Sequence, residues 1–306
     1  MKKSIKIISA DKKTNLNVVT WKPEGKIKAV LQISHGVTEY IERYERFANY
    51  MNENGIAIIG NDHLGHGLSV ADGEEEMYFS NWNYTVEDLY SVYCFGKKEY
   101  KNVPYILLGF SMGSFMVRQL LIDYPGIVDA AIIMGTGQQS YINIVLGKMM
   151  ANLESKKVGE NHGSAGIDKL SFETYNKYFK PNRTDMDWLC ANEEALDKYI
   201  LDPMTKKHMS AGLFREMLNG MLYTSKNKNI AKMKKDMPIL FLSGEKDPVG
   251  EQGKGVKKAY KAFKDSGMKE VDMKLYPGLR HDILNEKNYE EIYKDILKWI
   301  EEKINN

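Results

Sequence analysis

Short apolar runs, separated by polar turns, recur along most of the chain. Several contain almost no polar residue, which is typical of strands that are buried on both faces of a sheet. The pattern predicts eight strands, at residues 4–8, 16–21, 29–34, 56–60, 103–110, 130–135, 238–243 and 270–276. The first two alternate polar with apolar residues on either side of a polar turn, which predicts an antiparallel hairpin.

Between the later strands, apolar residues recur at helical spacing. Tyr44, Phe47, Ala48 and Met51, for example, share one face of a predicted helix that ends at Gly55. Predicted helices cover residues 40–54, 86–100, 112–123, 252–264 and 289–303. Because strands that alternate with helices need crossover connections, we expect a mostly parallel sheet with helices on both faces.

The alternation of strands and helices stops near Gln138 and resumes near Met237. The residues between them have no strand pattern and are compatible with helix in most windows. We interpret residues 138–229 as a helical insertion between core segments 1–137 and 230–306, packed over one edge of the sheet. Several methionines in this stretch suit an adaptable apolar pocket, but methionine also fills ordinary helical cores.

Charge and cysteine content narrow the class of protein. The 306 residues include 43 basic and 41 acidic side chains, so a basic excess of the kind that binds nucleic acid is absent from the sequence. Cys94 and Cys190 are too few for a disulfide framework, and we predict both to be reduced, buried thiols. With no signal-peptide core or membrane-length apolar run, we expect a cytoplasmic enzyme that has no transmembrane segment, with peripheral contact with lipid left open.

The segment Gly109-Phe110-Ser111-Met112-Gly113 joins a predicted strand to a predicted helix. In that setting G-x-S-x-G forms a turn so tight that only glycine fits two residues on either side of the serine. The serine hydroxyl is left exposed beside the N-terminus of the helix. We therefore predict that Ser111 is a catalytic nucleophile.

A nucleophilic serine needs a histidine to remove its proton and a carboxylate to orient that histidine. Because ligands gather at the carboxyl ends of parallel strands, both partners should follow strands. Asp247 follows the strand at 238–243, and His281 follows the last strand. The order serine, acid, histidine is that of the α/β-hydrolases.

Each member of this triad has an ordinary alternative when it is considered alone. Asp247 precedes a proline and is also typical of a simple turn. The other acidic candidates precede a strand, lie within one, end a helix or directly follow His281; they are Asp236, Asp272, Asp265 and Asp282. His281 is the one histidine of the sequence beyond Asp247, so the three positions together favour the triad.

Attack by the serine creates an oxyanion, which needs two donors already in place. We expect the backbone N–H of Met112, directly after the nucleophile, and that of Val37, in the loop after the strand at 29–34. Gly36 would allow the close approach of that loop. The His35 side chain is interpreted as holding its own turn.

No motif of the sequence calls for a metal or an organic cofactor. His63 and His66 lie three residues apart in a glycine-rich stretch, but no third ligand set of recognisable spacing accompanies them. The glycine-rich loops at 135–137 and 163–166 match no dinucleotide or phosphate fingerprint. We therefore predict a reaction that needs no metal or organic cofactor.

A series of motifs now runs in one order over nearly the whole chain. They are His35-Gly36-Val37-Thr38-Glu39 with Arg43-Tyr44, Asn61-Asp62-His63-Leu64-Gly65-His66-Gly67-Leu68-Ser69, Gly109-Phe110-Ser111-Met112-Gly113-Ser114, Gly244-Glu245-Lys246-Asp247-Pro248-Val249 and Arg280-His281. In these motifs the chain resembles the monoacylglycerol lipase and lysophospholipase branch of the α/β-hydrolases, which is also grouped with the serine aminopeptidase-like hydrolases.

The resemblance implies the triad Ser111, Asp247 and His281, the oxyanion donors Val37 and Met112, and a helical cap over the active site. The sequence thus predicts a serine carboxylester hydrolase that forms an acyl-enzyme, with monoacylglycerol, lysophospholipid or related acyl esters as substrates. Thioesterases, acyltransferases and peptidases use the same triad and stay open as alternatives. Outside enzymes, the alternatives are a small-molecule binding protein on a hydrolase scaffold and a peripheral membrane-binding module.

Overall fold

A computed structural model describes residues 1–205 and 207–304 of the chain. Within these ranges, eight strands form one sheet in the order β1-β2-β4-β3-β5-β6-β7-β8. The strands are β1 (Lys2–Ile8), β2 (Asn15–Trp21), β3 (Ala29–Ser34), β4 (Ile56–Asn61), β5 (Tyr105–Phe110), β6 (Ala130–Met134), β7 (Ile239–Gly244) and β8 (Val271–Tyr276). The β1–β2 and β2–β4 pairs are antiparallel and all other neighbours are parallel. The predicted hairpin and the mostly parallel eight-stranded sheet are confirmed.

Helices connect the strands. The α-helices of the described residues are α1 (Glu45–Glu53), α2 (Trp82–Glu99), α3 (Met112–Asp123), α4 (Tyr141–Val158), α5 (Ala165–Asp168), α6 (Thr174–Asn176), α7 (Glu193–Leu201), α8 (Ala211–Thr224), α9 (Asn227–Ile230), α10 (Lys254–Asp265) and α11 (Tyr289–Ile304). Short 3₁₀ turns cover Ile41–Tyr44, Lys177–Phe179 and Ile283–Asn285, and a π-helical turn covers Lys169–Glu173. None of these helices is long and apolar enough to pass through a membrane.

Two apolar layers cover the sheet, one on each face. The first contains side chains of α1 and α11, and the second contains side chains of α2, α3 and α10. Strands β3 to β7 are buried along their whole length as a result. The expectation of helices on both faces is therefore confirmed.

Two details of the predicted elements are wrong. Helix α2 begins at Trp82, four residues before the predicted start, because the Asn81 side chain accepts a hydrogen bond from the Asn83 N–H and caps the helix there. Cys94 is exposed, although Cys190 is buried as predicted. The buried stripe of α2 includes Leu89, Val92 and Gly96, and Cys94 lies outside it.

Between β6 and β7 the described residues contain no strand of the sheet. Helices α4 to α9 occupy this stretch, and α8 packs against both α3 and α4. One isolated antiparallel bridge joins Gly163 to Ser210 within it. The stretch corresponds to the predicted insertion at 138–229, whose role as a cap stays a prediction.

One buried side chain of α3 holds both ends of this stretch. Arg118 is fully buried, and its guanidinium donates to the Gly137 carbonyl at 3.0 Å, to Gln138 Oε1 at 2.8 Å and to the Thr224 carbonyl at 3.1 Å. Burial lowers the pKa of Arg118 to about 9, so the guanidinium is still cationic at neutral pH. Carbonyl and amide oxygens accept from its terminal NH₂ groups in place of a carboxylate, and its Nε has no acceptor among the described residues.

Candidate active site

Ser111 lies at the turn between β5 and α3. Its backbone has φ +51° and ψ −118°, a left-handed conformation that a residue with a side chain rarely adopts. The turn is crowded on both sides, because a Cβ at Gly109 would lie 2.5 Å from the Gly113 carbonyl oxygen, and one at Gly113 would lie 2.1 Å from that of Ser34. Only glycine fits at those two positions, and the half-buried serine is held at the tip.

Asp247 and His281 meet beyond the carboxyl ends of β7 and β8. His281 Nδ1 and Asp247 Oδ2 are 2.9 Å apart, and both side chains are buried. The carboxylate is itself fixed, because Oδ1 accepts from the Val249 N–H at 2.9 Å and Oδ2 from the Ser243 hydroxyl at 3.1 Å. A carboxylate held in this way fixes the orientation of the imidazole and leaves its Nε2 free for another partner.

Ser111 and His281 line one small cavity of about 20 Å³. The Phe110 ring, next to the serine, lies 4.8 Å from the imidazole between ring centroids. Ser111 and His281, both among the described residues, do not form a hydrogen bond with each other. The structure thus brings the acid and the histidine into contact and the serine to the same cavity, and the complete triad stays a prediction.

The loop after β3 lies directly against the serine. A Cβ at Gly36 would lie 3.2 Å from Ser111 Cβ, and Val37 lines the same cavity as Ser111. Met112 is the first residue of α3, where backbone N–H groups have no acceptor within the helix. Both predicted oxyanion donors therefore border the space beside the serine, and their role stays a prediction.

A buried charge network, which the sequence analysis missed, joins this loop to the histidine turn. Glu39 accepts from the Gly36 N–H and from Arg43, each at 2.5 Å, and Arg43 also reaches Asp282 at 3.4 Å. Burial alone would lower the pKa of Arg43, but the two carboxylates outweigh burial and raise it. Opposite charges four residues apart, at 39 and 43, were the available signal.

Three histidines lie beneath the same loop. His63 N–H donates to His35 Nε2 at 2.9 Å, so the 2.7 Å contact of His35 Nδ1 with the Gly36 carbonyl has Nδ1 as the donor. Burial lowers the pKa of His63 to about 3 and that of His66 to about 4. All three rings are buried, and His35 holds its own turn as predicted. Within the described residues no group of three or more metal-ligating side chains is arranged to hold an ion.

Aromatic side chains from residues 138–229 cover the histidine. The Trp188 ring lies 5.2 Å from the His281 ring, and Phe172 stacks on Trp188 at 5.3 Å. The backbone is tied as well, because the His281 and Asp282 N–H groups donate to the carbonyls of Trp188 and Leu189 at 3.4 and 2.7 Å. These contacts place side chains of residues 138–229 in the wall of the small cavity, beside His281.

A second, much larger cavity lies beyond this aromatic cover. It has a volume of about 780 Å³, within the usual range for small-molecule sites. Thr38, Phe172 and Tyr199 line both cavities and therefore separate them. The larger cavity also has apolar side chains, among them Met186 and Ile200. Charged side chains, among them Asp168 and Lys207, also line it.

The sheet order, the strained serine turn between strand and helix, and the acid and histidine after the last two strands define an α/β-hydrolase. Residues 25–288 match the family described as serine aminopeptidase, S33, and the chain belongs to that family. It is an esterase- or lipase-type hydrolase that resembles the monoacylglycerol lipases.

Relatives of known name agree with this assignment. A monoglyceride lipase homolog of Monkeypox virus is 28% identical over 94% of this chain and 92% of its own length. A monoacylglycerol lipase of Mycolicibacterium smegmatis is 24% identical over 92% of this chain and 90% of its own length. A thermostable carboxyl esterase of Bacillus coagulans, solved in complex with glycerol, has the same fold, with a TM-score of 0.89, 22% identity and 99% coverage of both chains.

Proposed function

We propose that the chain hydrolyses carboxylic esters of lipids through an acyl-enzyme on Ser111. The observation that carries this proposal is the buried Asp247–His281 pair, which faces a cavity shared with a serine held at a strained strand-to-helix turn. In this assignment Ser111 is the nucleophile, His281 the base and Asp247 its orienting carboxylate.

The mechanism needs two acyl transfers. His281 Nε2 takes the hydroxyl proton as Ser111 Oγ bonds to the ester carbonyl carbon, and the oxyanion is stabilised by the Val37 and Met112 N–H groups. The C–O bond to the alcohol then breaks, and the alcohol leaves with the proton from His281. A water molecule, deprotonated by the same imidazole, attacks the acyl carbon. The bond from that carbon to Ser111 Oγ breaks, His281 returns the proton to Oγ, and the carboxylic acid is released.

Two observations favour a lipid ester as the substrate. Relatives that align over nearly the whole chain are named monoglyceride or monoacylglycerol lipases. The 780 Å³ cavity beside the small cavity has the size that an acyl chain requires, and the apolar side chains Phe172, Met186 and Ile200 line part of it. We therefore assign monoacylglycerols, lysophospholipids and related acyl esters as the substrate class.

A substrate panel tests this assignment. We expect the purified chain to hydrolyse monoacylglycerols with kcat/KM that rises with acyl length as more of the large cavity is filled. Acyl thioesters and aminoacyl anilides of matched size should be poorer substrates. The measurement is initial-rate kinetics with titration of released acid. Faster turnover of the aminoacyl anilides would contradict the proposal and assign a peptidase.

Residues 138–229 are proposed to form the cap of this site. They supply Phe172, Trp188 and Tyr199 to the small cavity, and α8 packs against the helix that follows the serine. Substrate entry then requires movement of this segment relative to the sheet, because a 20 Å³ cavity is too small for an ester.

Helix α4 of this segment presents an apolar face to solvent. Its buried residues are Ile144 and Ala151. The exposed face carries large apolar side chains: Tyr141, Ile142, Leu146, Met149, Met150 and Leu153. Lys156 and Lys157 are exposed at the C-terminal end of the same helix. An apolar stripe that ends in basic residues suits the surface of an anionic bilayer, and we propose that this face contacts the lipid that contains the substrate.

Leu146→Ser/Leu153→Ser should weaken binding to vesicles that contain anionic lipid by about tenfold or more, because two apolar side chains no longer enter the interface. Co-sedimentation measures the bound fraction. The matched control is Leu68→Ser/Leu201→Ser, which changes two exposed leucines outside α4. Equal binding by both double variants would contradict the proposal, and loss of a dimer in the α4 variant would assign the face to a second copy of the chain.

A further inference from the structure

The four tryptophans of the chain differ in how their indole N–H groups are satisfied. Trp82 Nε1 donates to Gln119 at 2.8 Å, and Trp299 Nε1 donates to Asp272 at 2.9 Å. Trp188 Nε1 and Trp21 Nε1 are buried and have no acceptor among the described residues. A buried donor without a partner destabilises the state in which it occurs, so an orphan beside a reaction site points to a missing ligand oxygen.

Trp188 occupies such a position. It is only 4% exposed, and it lines the small cavity together with Ser111 and His281. Its ring contacts both His281, at 5.2 Å, and Phe172, at 5.3 Å, and these contacts restrict the orientation of the indole.

The histidine contact shows which part of an ester this indole meets. His281 Nδ1 is engaged by Asp247, so Nε2 is the nitrogen that exchanges a proton with Ser111 and with the departing alcohol. The alcohol oxygen must then come within hydrogen-bond distance of Nε2. Trp188, which contacts the imidazole and lines the same cavity, therefore lies beside the position that the departing alcohol takes in the proposed reaction.

We propose that the Trp188 indole N–H donates a hydrogen bond to an oxygen of the alcohol half of the ester, which makes Trp188 a specificity-determining residue. The ligand chemistry is an alcohol with at least one further oxygen, as in a glycerol-type head group. A plain alkyl alcohol has no acceptor to offer and leaves the buried donor unsatisfied. The inference rests on the proposed function, because it takes Ser111 and His281 as the reacting groups.

The test compares Trp188→Phe with the unmodified chain on two esters of the same fatty acid, a monoacylglycerol and an ethyl ester. Phenylalanine retains an aromatic ring beside His281 and Phe172 but has no N–H. We expect the ratio of kcat/KM for the monoacylglycerol to kcat/KM for the ethyl ester to fall by about five- to tenfold. A role in packing alone would change both esters by the same factor and leave the ratio unchanged.

Trp21→Phe is the matched control. It removes the other buried, unpartnered indole N–H, which lies in β2, at the edge of the sheet opposite the carboxyl ends of the parallel strands. The ratio should keep its original value in this variant. A ratio that is unchanged in Trp188→Phe, or that falls equally in both variants, would overturn the inference. A lysophospholipid of the same acid is the third substrate, and a fall confined to it would assign the acceptor to the phosphate instead of a glycerol hydroxyl.

A binding measurement keeps this inference separable from the proposed reaction. In the chain labelled with ¹⁵N-tryptophan, 1-O-dodecylglycerol, a non-hydrolysable ether, should shift one indole N–H resonance downfield, whereas dodecyl ethyl ether should not. The shifted resonance should be the one missing from Trp188→Phe. Hydrolysis of both esters without any such shift would leave the proposed function standing and remove the inference. A shift without hydrolysis of any ester would support the role of Trp188 in binding and remove the proposed function.

Discussion

Ser111→Ala should lower kcat for a monoacylglycerol by a factor of roughly 10⁴ to 10⁶. The variant lacks the oxygen that forms the acyl-enzyme, so the remaining rate depends on water positioned by the oxyanion donors alone. Alanine has the same backbone requirements as serine, and the free energy of unfolding should change by less than about 1 kcal/mol. Steady-state kinetics and urea unfolding measure the two quantities.

Labelling by a fluorophosphonate probe tests Ser111 as the nucleophile without the need for a substrate. The unmodified chain should gain one adduct, located on Ser111 by peptide mass mapping, and Ser111→Ala should gain none. Ser266→Ala is the matched control, because Ser266 caps the end of α10 and lies outside both cavities. Unchanged labelling of Ser111→Ala would refute the assignment of the nucleophile.

Asp247→Asn should lower kcat by about 10⁴ while the chain stays folded. The Val249 N–H needs an oxygen at the Oδ1 position, so the amide NH₂ of asparagine must face His281. His281 Nδ1 then has to accept that hydrogen bond, and the ring proton moves to Nε2. A protonated Nε2 cannot take the proton of Ser111, and the base is lost although no atom has been displaced.

Two further variants separate a catalytic role of Asp247 from a structural one. Because the triad residues act as a unit, Ser111→Ala/Asp247→Asn should be no slower than Ser111→Ala alone. Asp272→Asn changes a carboxylate on β8 that is 52% exposed in its side chain and binds Trp299, and its kcat should stay within about twofold. If Asp272→Asn lost as much kcat as Asp247→Asn, the effect of Asp247→Asn would be structural and not catalytic.

The parts of the fold that depend on local sequence could be predicted well. The strand at 103–110, the serine turn and the helix after it form one continuous pattern, and the structure places β5, Ser111 and α3 there. Asp247 and His281 could be chosen because parallel strands bring their carboxyl ends to one edge of the sheet. That choice needed only the positions of strands and no knowledge of side-chain packing.

The residues that cover the site could not be predicted in the same way. Helical spacing tells which side of a helix is buried, but it does not tell which distant segment the buried side meets. Trp188 lies 93 positions before His281 in the sequence, and Phe172 belongs to a π-helical turn whose spacing differs from that of an α-helix. The prediction that Cys94 is buried was wrong for a related reason, because residues one or two positions apart on a helix face different directions.

Arg118 has a consequence for how proteins of this architecture diversify. The guanidinium binds the backbone carbonyls of Gly137 and Thr224, so a segment of the chain leaves and rejoins the sheet at one point on the helix that starts beside Ser111. Insertions, deletions or a complete exchange between these two anchor points would not shift the register of any strand. Recombination at this junction would therefore exchange the proposed cap as one unit, while the residues proposed to break the ester are inherited intact.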